Sequence, residues 1–433
     1  MKCVYAAFAV LLVASLHAQN PGCDGLRFKT EAFADVKRTT VTYGQTVSHL
    51  NSLIDLAMDV YEPEGDTLSK RPAVVMAHGG SFILGNKNDI RAECEELARR
   101  GYVAVSIQYR LFPFLALGLP DSIKIMDTAV KAVGDMRAAT RFLRVDAATA
   151  NQFRIDPDHI FVGGYSAGAV AALHYAYLQL DDDIPAFLTN IIEQNRGMNL
   201  SLQQQTALFG NLDPAEYSGL EGISGSPENK TYSSRADAVL NLSGGIYRSF
   251  WLGADEVPIV SIHGTDDGTV NYNFGLAANI AYLEGSSLIH QRAEAVGLRH
   301  YLQTVPGGGH TNIYSGAAYA AYRDTFWTMA SAMLEDLSCA PTISVAEPGE
   351  AGAVPWGFAP NPSADGRLAL NLTEVGRPVD ILAYDSEGRL LAQYRQVAHG
   401  QRVELPAGAS GTIWLLPQAP NLRFEARPLV LIR

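Results

Sequence analysis

Cysteine is scarce in this chain: four residues in 433, with no C-x-x-C pair and no histidine-rich spacing. A thiolate metal centre or a dithiol redox site therefore lacks its residues. Asp181-Asp182-Asp183 could attract a cation, but a solvated loop accounts for it better, so neither metal nor cofactor is expected. A basic excess is also missing, since 33 Lys and Arg face 45 Asp and Glu for a net charge of −12. That balance argues against nucleic acid or an anionic membrane surface as a partner. Beyond the first 18 residues no apolar run is long enough to cross a bilayer, and no low-complexity tract interrupts the chain. What remains is a globular composition, 47% hydrophobic and 18% charged, in a chain long enough for two domains.

Met1–Ala18 has the layout of an export signal: Lys2, a short apolar run over Val4–Leu16, and small residues near Ala18. An exported protein without a stable membrane span is the expectation. Cys3 leaves with the signal, so Cys23, Cys94 and Cys339 remain, an odd number. Cys94 shares a helical face with Ile90 and Leu97 and reads as core. Cys23 and Cys339 bracket the first domain, which favours a disulfide between them among the possible pairings.

The chain is organised around His159–Gly168, HIFVGGYSAG. Ile160-Phe161-Val162 is apolar enough for a buried strand, and a helical run over Ala169–Leu178 follows the turn. A serine set on a strand–turn–helix junction is a nucleophile elbow, where the serine takes a strained backbone angle. Its neighbours two residues away on either side must then be glycine, and they are Gly164 and Gly168. Ser166 is the candidate nucleophile.

Around it, apolar strands alternate with helices, the pattern of a parallel sheet covered on both faces. Strands are expected at Thr39–Tyr43, Leu56–Tyr61, Pro72–Ala77, Tyr102–Tyr109, Ala238–Leu242, Pro258–Ile262 and His300–Val305. Helices are expected at Asp89–Arg100, Ser122–Leu143, Phe274–Val296 and Tyr319–Leu337. Residues 179–235 lose this rhythm and read as a lid or cap inserted over the carboxyl ends of the strands.

A serine hydroxyl needs a base, and histidine needs a carboxylate to fix its tautomer. Asp267 follows the strand Pro258–Ile262 and His310 follows the strand His300–Val305, giving the order serine, acid, histidine with each group at a strand end. Asp266 is the runner-up for the acid. His174 reads as a core or boundary residue, and His159, His290 and His300 lack a glycine turn to expose them.

With these residues in view, the chain from about Lys37 to Leu337 resembles an α/β-hydrolase of the carboxylesterase kind, close to the hormone-sensitive-lipase-like and feruloyl or acetyl esterases. The matching segments are H-G-G-S at 78–81, Y-R-L at 109–111, D-M-R-A-A at 135–139, G-Y-S-A-G at 164–168, H-G-T-D-D at 263–267 and G-G-G-H at 307–310. The resemblance implies Ser166 as nucleophile, His310 as general acid and base, and Asp267 as its orienter. It also implies an oxyanion hole from the backbone N–H groups of Gly80, Ser81 and Ala167, with His78 and Gly79 supporting the loop. Many relatives carry glycine where Ser81 stands; a serine still donates its N–H.

The expected organisation is a signal over 1–18, a catalytic α/β domain over 19–339, a linker over 340–355 and a small antiparallel β-sandwich over 356–433. Strands are expected there at Arg367–Leu372, Val379–Tyr384, Arg389–Val397, Arg402–Leu405, Thr412–Leu416 and Arg423–Ile432, with a hairpin turn at Asp385-Ser386-Glu387-Gly388. Ala359-Pro360-Asn361-Pro362, the segment at 381–391 and the basic end at Arg433 make this part resemble the C-terminal sorting domain of the bacterial type IX secretion system. A carbohydrate-binding or immunoglobulin-like accessory module is the rival. The resemblance implies the secretion machinery as a partner and a cell-surface or secreted location.

The function expected is cleavage of carboxylic esters through an acyl-enzyme, on small or polymer-borne substrates such as plant-polysaccharide esters. A serine peptidase of the prolyl-oligopeptidase type would use the same fold, but no β-propeller precedes Lys37. A non-catalytic binding protein on a hydrolase scaffold is the third class, and the retained serine, acid and histidine speak against it.

Overall fold

The computed structural model describes residues 22–178, 222, 224–226 and 229–339, and, towards the C-terminus, 357–359, 367–372, 378–384, 390–406, 411–418 and 427–431. The expected signal, the linker, most of the 179–235 insertion and the Asp385–Gly388 turn lie outside the described residues. The chain divides into two compact units, residues 1–341 and 342–433.

The first unit is built on an eight-stranded sheet. Its strands are β1 (Val36–Val47), β2 (Leu53–Pro63), β3 (Arg71–Ala77), β4 (Val103–Ile107), β5 (Ile155–Tyr165), β6 (Val239–Leu242), β8 (Ile259–Gly264) and β11 (His300–Val305), in the order β1-β2-β4-β3-β5-β6-β8-β11. Every neighbour from β4 to β11 is parallel, while β2 pairs antiparallel with both β1 and β4. The helices are α1 (Arg91–Arg99), α2 (Phe114–Leu117), α3 (Ser122–Ala148), α4 (Ala167–Tyr177), α5 (Ser286–Val296), α6 (Asn312–Ser315) and α7 (Ala320–Cys339).

Strand periodicity sorts β3 cleanly between the two faces. Ala73, Val75 and Ala77 join the core formed with α3 and α4, whereas Val74 and Met76 join the one formed with α1 and α7. Both faces are dry, which is why the strand reads as an unbroken apolar run. This is the α/β-hydrolase arrangement. Helix α3 starts where Asp121 caps it, accepting from the Lys124 N–H at 2.9 Å, and it continues five residues past the expected end at Leu143. Cys23 and Cys339 form a disulfide with Cα atoms 5.7 Å apart, and Cys94 is a buried free thiol.

One element departs from expectation. Phe274–Val296 is not a single helix: it begins with β9 (Phe274–Ala277) and β10 (Ala281–Gly285), and only then enters α5. With the short β7 (Gly245–Ile246) they form a separate sheet, β7-β10-β9. The turn between them sets Ala278 and Asn279 at φ of 48° and 59°, and the Ile280 N–H closes it on the Ala277 carbonyl at 2.9 Å. Two consecutive left-handed residues make the hairpin turn that matches strand twist. Stacked Phe274 and Tyr282 rings, 5.4 Å apart, add a diagonal cross-strand contact.

Among the described residues, every strand pair of the second unit is antiparallel. Strands β12 (Gly357–Ala359), β13 (Arg367–Asn371) and β16 (Arg402–Glu404) form one sheet, while β14 (Val379–Tyr384), β15 (Leu390–Val397), β17 (Gly411–Gln418) and β18 (Arg427–Leu431) form the other. Leu370, Val379, Ile381, Val403 and Ile413 share its core. No described helix is long and apolar enough to cross a membrane.

Candidate active site

Backbone packing around Ser166 is tight enough to exclude a Cβ. A Cβ on Gly164 would lie 2.4 Å from the Gly168 carbonyl carbon, and one on Gly168 would lie 2.0 Å from the Ala77 oxygen. Glycine at both places lets the end of β5 and the start of α4 press against β3. Ser166, squeezed between them, holds φ 54° and ψ −119°, a conformation that ordinary residues avoid. Its own N–H donates to the Leu242 carbonyl at 2.9 Å, and its carbonyl accepts from the Val170 N–H at 2.9 Å. The strain is thus held from both sides.

His310 approaches from the turn after β11. Its Nε2 lies 2.8 Å from Ser166 Oγ and its Nδ1 lies 2.6 Å from Asp267 Oδ2. A carboxylate beside Nδ1 fixes the proton there, which leaves Nε2 as the acceptor facing the serine hydroxyl. Asp267 is buried, and its other oxygen accepts from the N–H groups of Thr269 at 2.8 Å and Val270 at 2.9 Å. Burial alone would raise its pKa. Hydrogen bonds from His263 and His310 outweigh that and hold the carboxyl well below the usual range. Asp266 is exposed and its carboxylate accepts from the Thr265 hydroxyl, while the carboxylate that meets the imidazole is that of Asp267.

The 78–85 loop is equally constrained. Gly80, Ser81 and Phe82 all have positive φ, and a Cβ on Gly80 would meet the Leu84 oxygen at 2.0 Å. Gly79 packs on the elbow, where a Cβ would lie 3.2 Å from Ser166 Cβ. His78 is buried and bonded to its own loop, with Nδ1 2.7 Å from the Gly79 carbonyl. Its ring stacks on Tyr109 at 4.4 Å, and the Tyr109 hydroxyl donates to the His78 carbonyl at 2.8 Å. Arg110, next in the chain, is pinned by Asp135 through Nη2–Oδ1 at 2.8 Å and Nε–Oδ1 at 3.0 Å. Ala167 is the first residue of α4, so its N–H has no carbonyl four residues back to bind within the helix. Ser81 and Ala167 both border the cavity that opens beside Ser166.

The family model described as BD-FAE matches residues 58–278, just over half of the sequence. The chain belongs to the BD-FAE family. Among curated relatives, Esterase-5A of Drosophila persimilis is 29% identical over 144 residues, 32% of this chain and 25% of the relative. The non-reducing polyketide synthase mapC' of Penicillium brevicompactum is 29% identical over 154 residues, 35% of this chain but 6% of the relative. The neuroligin-like protein glit-1 of Caenorhabditis elegans is 31% identical over 118 residues, 27% of this chain and 15% of the relative. This chain therefore spans a quarter or less of each. The apo form of Thermogutta terrifontis esterase 2 is similar at 20% identity and a TM-score of 0.45, over 74% of this chain and 96% of that one. Its propionate-bound form has a TM-score of 0.44, also at 20% identity, over 71% of this chain and 95% of that one.

The BD-FAE match takes in Ser166 and Asp267 and stops short of His310, which joins them through the fold alone. Reading the BD-FAE sequence missed the support behind Asp267. His263 Nε2 lies 2.9 Å from the Val270 carbonyl and 3.2 Å from Asp267 Oδ2, while its Nδ1 faces Ser286 Oγ at 2.8 Å. Asn241 donates to Ser286 Oγ at 3.0 Å and to Ser261 Oγ at 2.9 Å, and His290 Nε2 reaches Ser261 at 2.7 Å. The available signal was a run of polar residues inside strands otherwise apolar: Asn241, Ser261 and His263. Tyr165 stacks on the His310 ring at 5.3 Å. Among the described residues, no group of His, Cys, Asp and Glu is arranged to hold a metal ion.

Proposed function

We propose that this protein hydrolyses carboxylic esters through an acyl-enzyme on Ser166. The observation that carries the reading is the unbroken chain of hydrogen bonds from Asp267 through His310 to the Ser166 hydroxyl. Ser166 Oγ attacks the ester carbonyl while His310 Nε2 takes its proton. The backbone N–H groups of Gly80, Ser81 and Ala167 receive the developing oxyanion. His310 then gives the proton to the leaving alcohol, and the acyl group stays on Ser166. Water, deprotonated by the same imidazole, attacks the acyl carbonyl; the acid leaves and the proton returns to Ser166. Asp267 stays ionised throughout and offsets the imidazolium charge.

Family membership and the name of Esterase-5A, which says it is an esterase, support the same chemistry. A panel of p-nitrophenyl esters of increasing chain length, methyl ferulate, acetylated xylan and a dipeptide anilide tests it. Ester turnover that disappears in Ser166→Ala is the expected result. Cleavage of the anilide alone would make the protein a peptidase, and a Ser166→Ala protein hydrolysing p-nitrophenyl acetate at the wild-type rate would end the serine mechanism.

The export signal and sorting-type C-terminal unit form a second part of this proposal: the enzyme is delivered to the cell surface or medium by the type IX secretion machinery. Support comes from the Met1–Ala18 pattern and from a separate all-β unit carrying the Ala359–Pro362 segment. Intact mass of the secreted enzyme should show both ends removed. A full-length tail that retains xylan or cellulose would favour an accessory binding module instead.

A further inference from the structure

The cavity beside Ser166 has walls of three origins. Helix α3 supplies Ile125, Val130 and Val133, α4 supplies Val170, and the β9–β10 hairpin supplies Ile280 and Leu283. The surface that these and the other described residues present to it is almost entirely carbon. Its polar side chains are either at the reacting end or already engaged. Ser81 belongs to the oxyanion loop, and Thr269 follows Asp267 and donates its N–H to that carboxylate. His174 Nδ1–H donates to the Val170 carbonyl at 2.7 Å, and its Nε2 accepts from the Tyr247 N–H at 3.1 Å. The Tyr247 hydroxyl accepts from Arg248 Nη2 at 3.3 Å.

The hairpin turns one face to this cavity. Ala277 and Ala281 pair directly across its two strands, and both line the cavity together with Leu283. Strand alternation sends Phe274 and Tyr282 to the opposite face, where both are exposed. Alanine at the two paired positions keeps the hairpin side of the cavity open.

Depth and orientation follow from α4. Ala167, Val170 and His174 line the cavity, and at 1.5 Å per residue His174 lies on the order of 12 Å along the helix from Ser166. An extended chain of single bonds advances about 1.2 Å per bond, so about eight to ten carbons reach that depth. Ser81 and Ala167 border the cavity, whereas His310 is not among the described residues that do. The leaving oxygen has to reach His310 Nε2, so the alcohol half faces away from the cavity and the acyl half fills it.

We propose that the β9–β10 hairpin sets acyl specificity, closing a pocket for an unbranched aliphatic acyl chain of about eight carbons. The inference rests on the esterase reading of the same site. An apolar wall gains from each methylene buried against it. A hydroxyl carried to the same depth loses its water and finds no partner in exchange. Acyl groups with a polar far end, feruloyl among them, are therefore disfavoured.

A series of methyl esters from acetate to dodecanoate measures the pocket. The value of kcat/KM should rise about two- to fourfold per methylene as far as octanoate or decanoate, then level off. Methyl 7-hydroxyheptanoate, with a hydroxyl in place of the terminal methyl group of octanoate, should be roughly ten- to a hundredfold poorer. Ala281→Phe fills the cavity from the hairpin and should lower the octanoate-to-butyrate ratio by about tenfold or more. Ala277→Phe, at its cross-strand partner, gives the same comparison if Ala281→Phe does not fold. Calorimetric binding of the same esters to Ser166→Ala protein should follow the same series without needing turnover. A climbing binding series with no hydrolysis by the parent would overturn the esterase reading and leave the pocket assignment standing. Hydrolysis indifferent to chain length, equal turnover of the hydroxyl and methyl ends, or an unchanged octanoate-to-butyrate ratio in a folded hairpin variant would overturn the assignment.

Discussion

The two halves of the active site are held in place by different means. On the serine side the backbone does the positioning: Gly79, Gly164 and Gly168 admit contacts that a Cβ would forbid, and Ser166, Gly80 and Ser81 keep positive φ angles between them. On the acid and base side, side chains do it: Asp267 and His310 are oriented by a polar network through His263, Ser286 and Asn241. Backbone packing is all-or-none, because interiors are close-packed and a misplaced methyl group displaces a strand or a helix. A hydrogen-bond network degrades in steps as members are removed. Substitutions on the serine side should therefore cost the fold, and those on the other side should cost rate.

The largest effect expected is on rate. His310→Ala should lower kcat by a factor on the order of 10⁶ while leaving the thermal midpoint near that of the parent. A drop in stability as large as the drop in rate would erase the contrast. Asp267→Asn should cost about 10⁴ in kcat, since the amide favours the wrong imidazole tautomer; steady-state kinetics with a p-nitrophenyl ester measures both. On the opposite side, Gly168→Ala places a methyl group on the Ala77 oxygen and should destabilise by about 3 kcal/mol or more, read by urea unfolding. Ser286→Ala, one step removed from Asp267 through His263, should lower kcat only about tenfold and leave KM in place, as loss of a single oriented hydrogen bond does. An unchanged kcat would place the network outside the site's support.

The smallest effect is a pH dependence of stability. His174 is held neutral by burial, its pKa lowered from 6.5 to about 4. Above pH 6.5 folded and unfolded chains bind the same number of protons at this residue. Between 6.5 and about 4 the unfolded chain takes a proton that the folded one refuses, so stability falls as pH falls and levels off below. Asp267 acts lower on the scale. Its contribution is present above the unfolded value of 3.8 and is lost as pH falls through the depressed folded value. Urea unfolding at several pH values between 7 and 4 should show a shallower slope for His174→Gln than for the parent; parallel curves would contradict the assignment.

This contrast also explains what could be read from the sequence. The serine side was legible because its constraint is steric and local: glycine two residues before and after Ser166, and the paired Gly79-Gly80, are demands of backbone contact that no other residue meets. His310 was legible for another reason, since a glycine run after the last parallel strand marks a turn that exposes it. The polar network showed only as polar residues interrupting apolar strands, because Asn241, Ser261 and Ser286 come together only when β6, β8 and α5 are assembled. The β9–β10 hairpin was missed because its turn puts Ala278 and Asn279 at positive φ without a glycine to announce it. That omission mattered, since Ile280 of the hairpin forms part of the cavity wall.

Labelling with a fluorophosphonate probe, followed by mapping of the modified peptide, tests the central claim most directly. An activated serine attacks the phosphorus and keeps the adduct, and activation depends on the imidazole beside it. The account predicts a single adduct on Ser166, greatly slowed in His310→Ala and absent in Ser166→Ala. Labelling at another residue, or at Ser166 with a rate indifferent to His310, would contradict it.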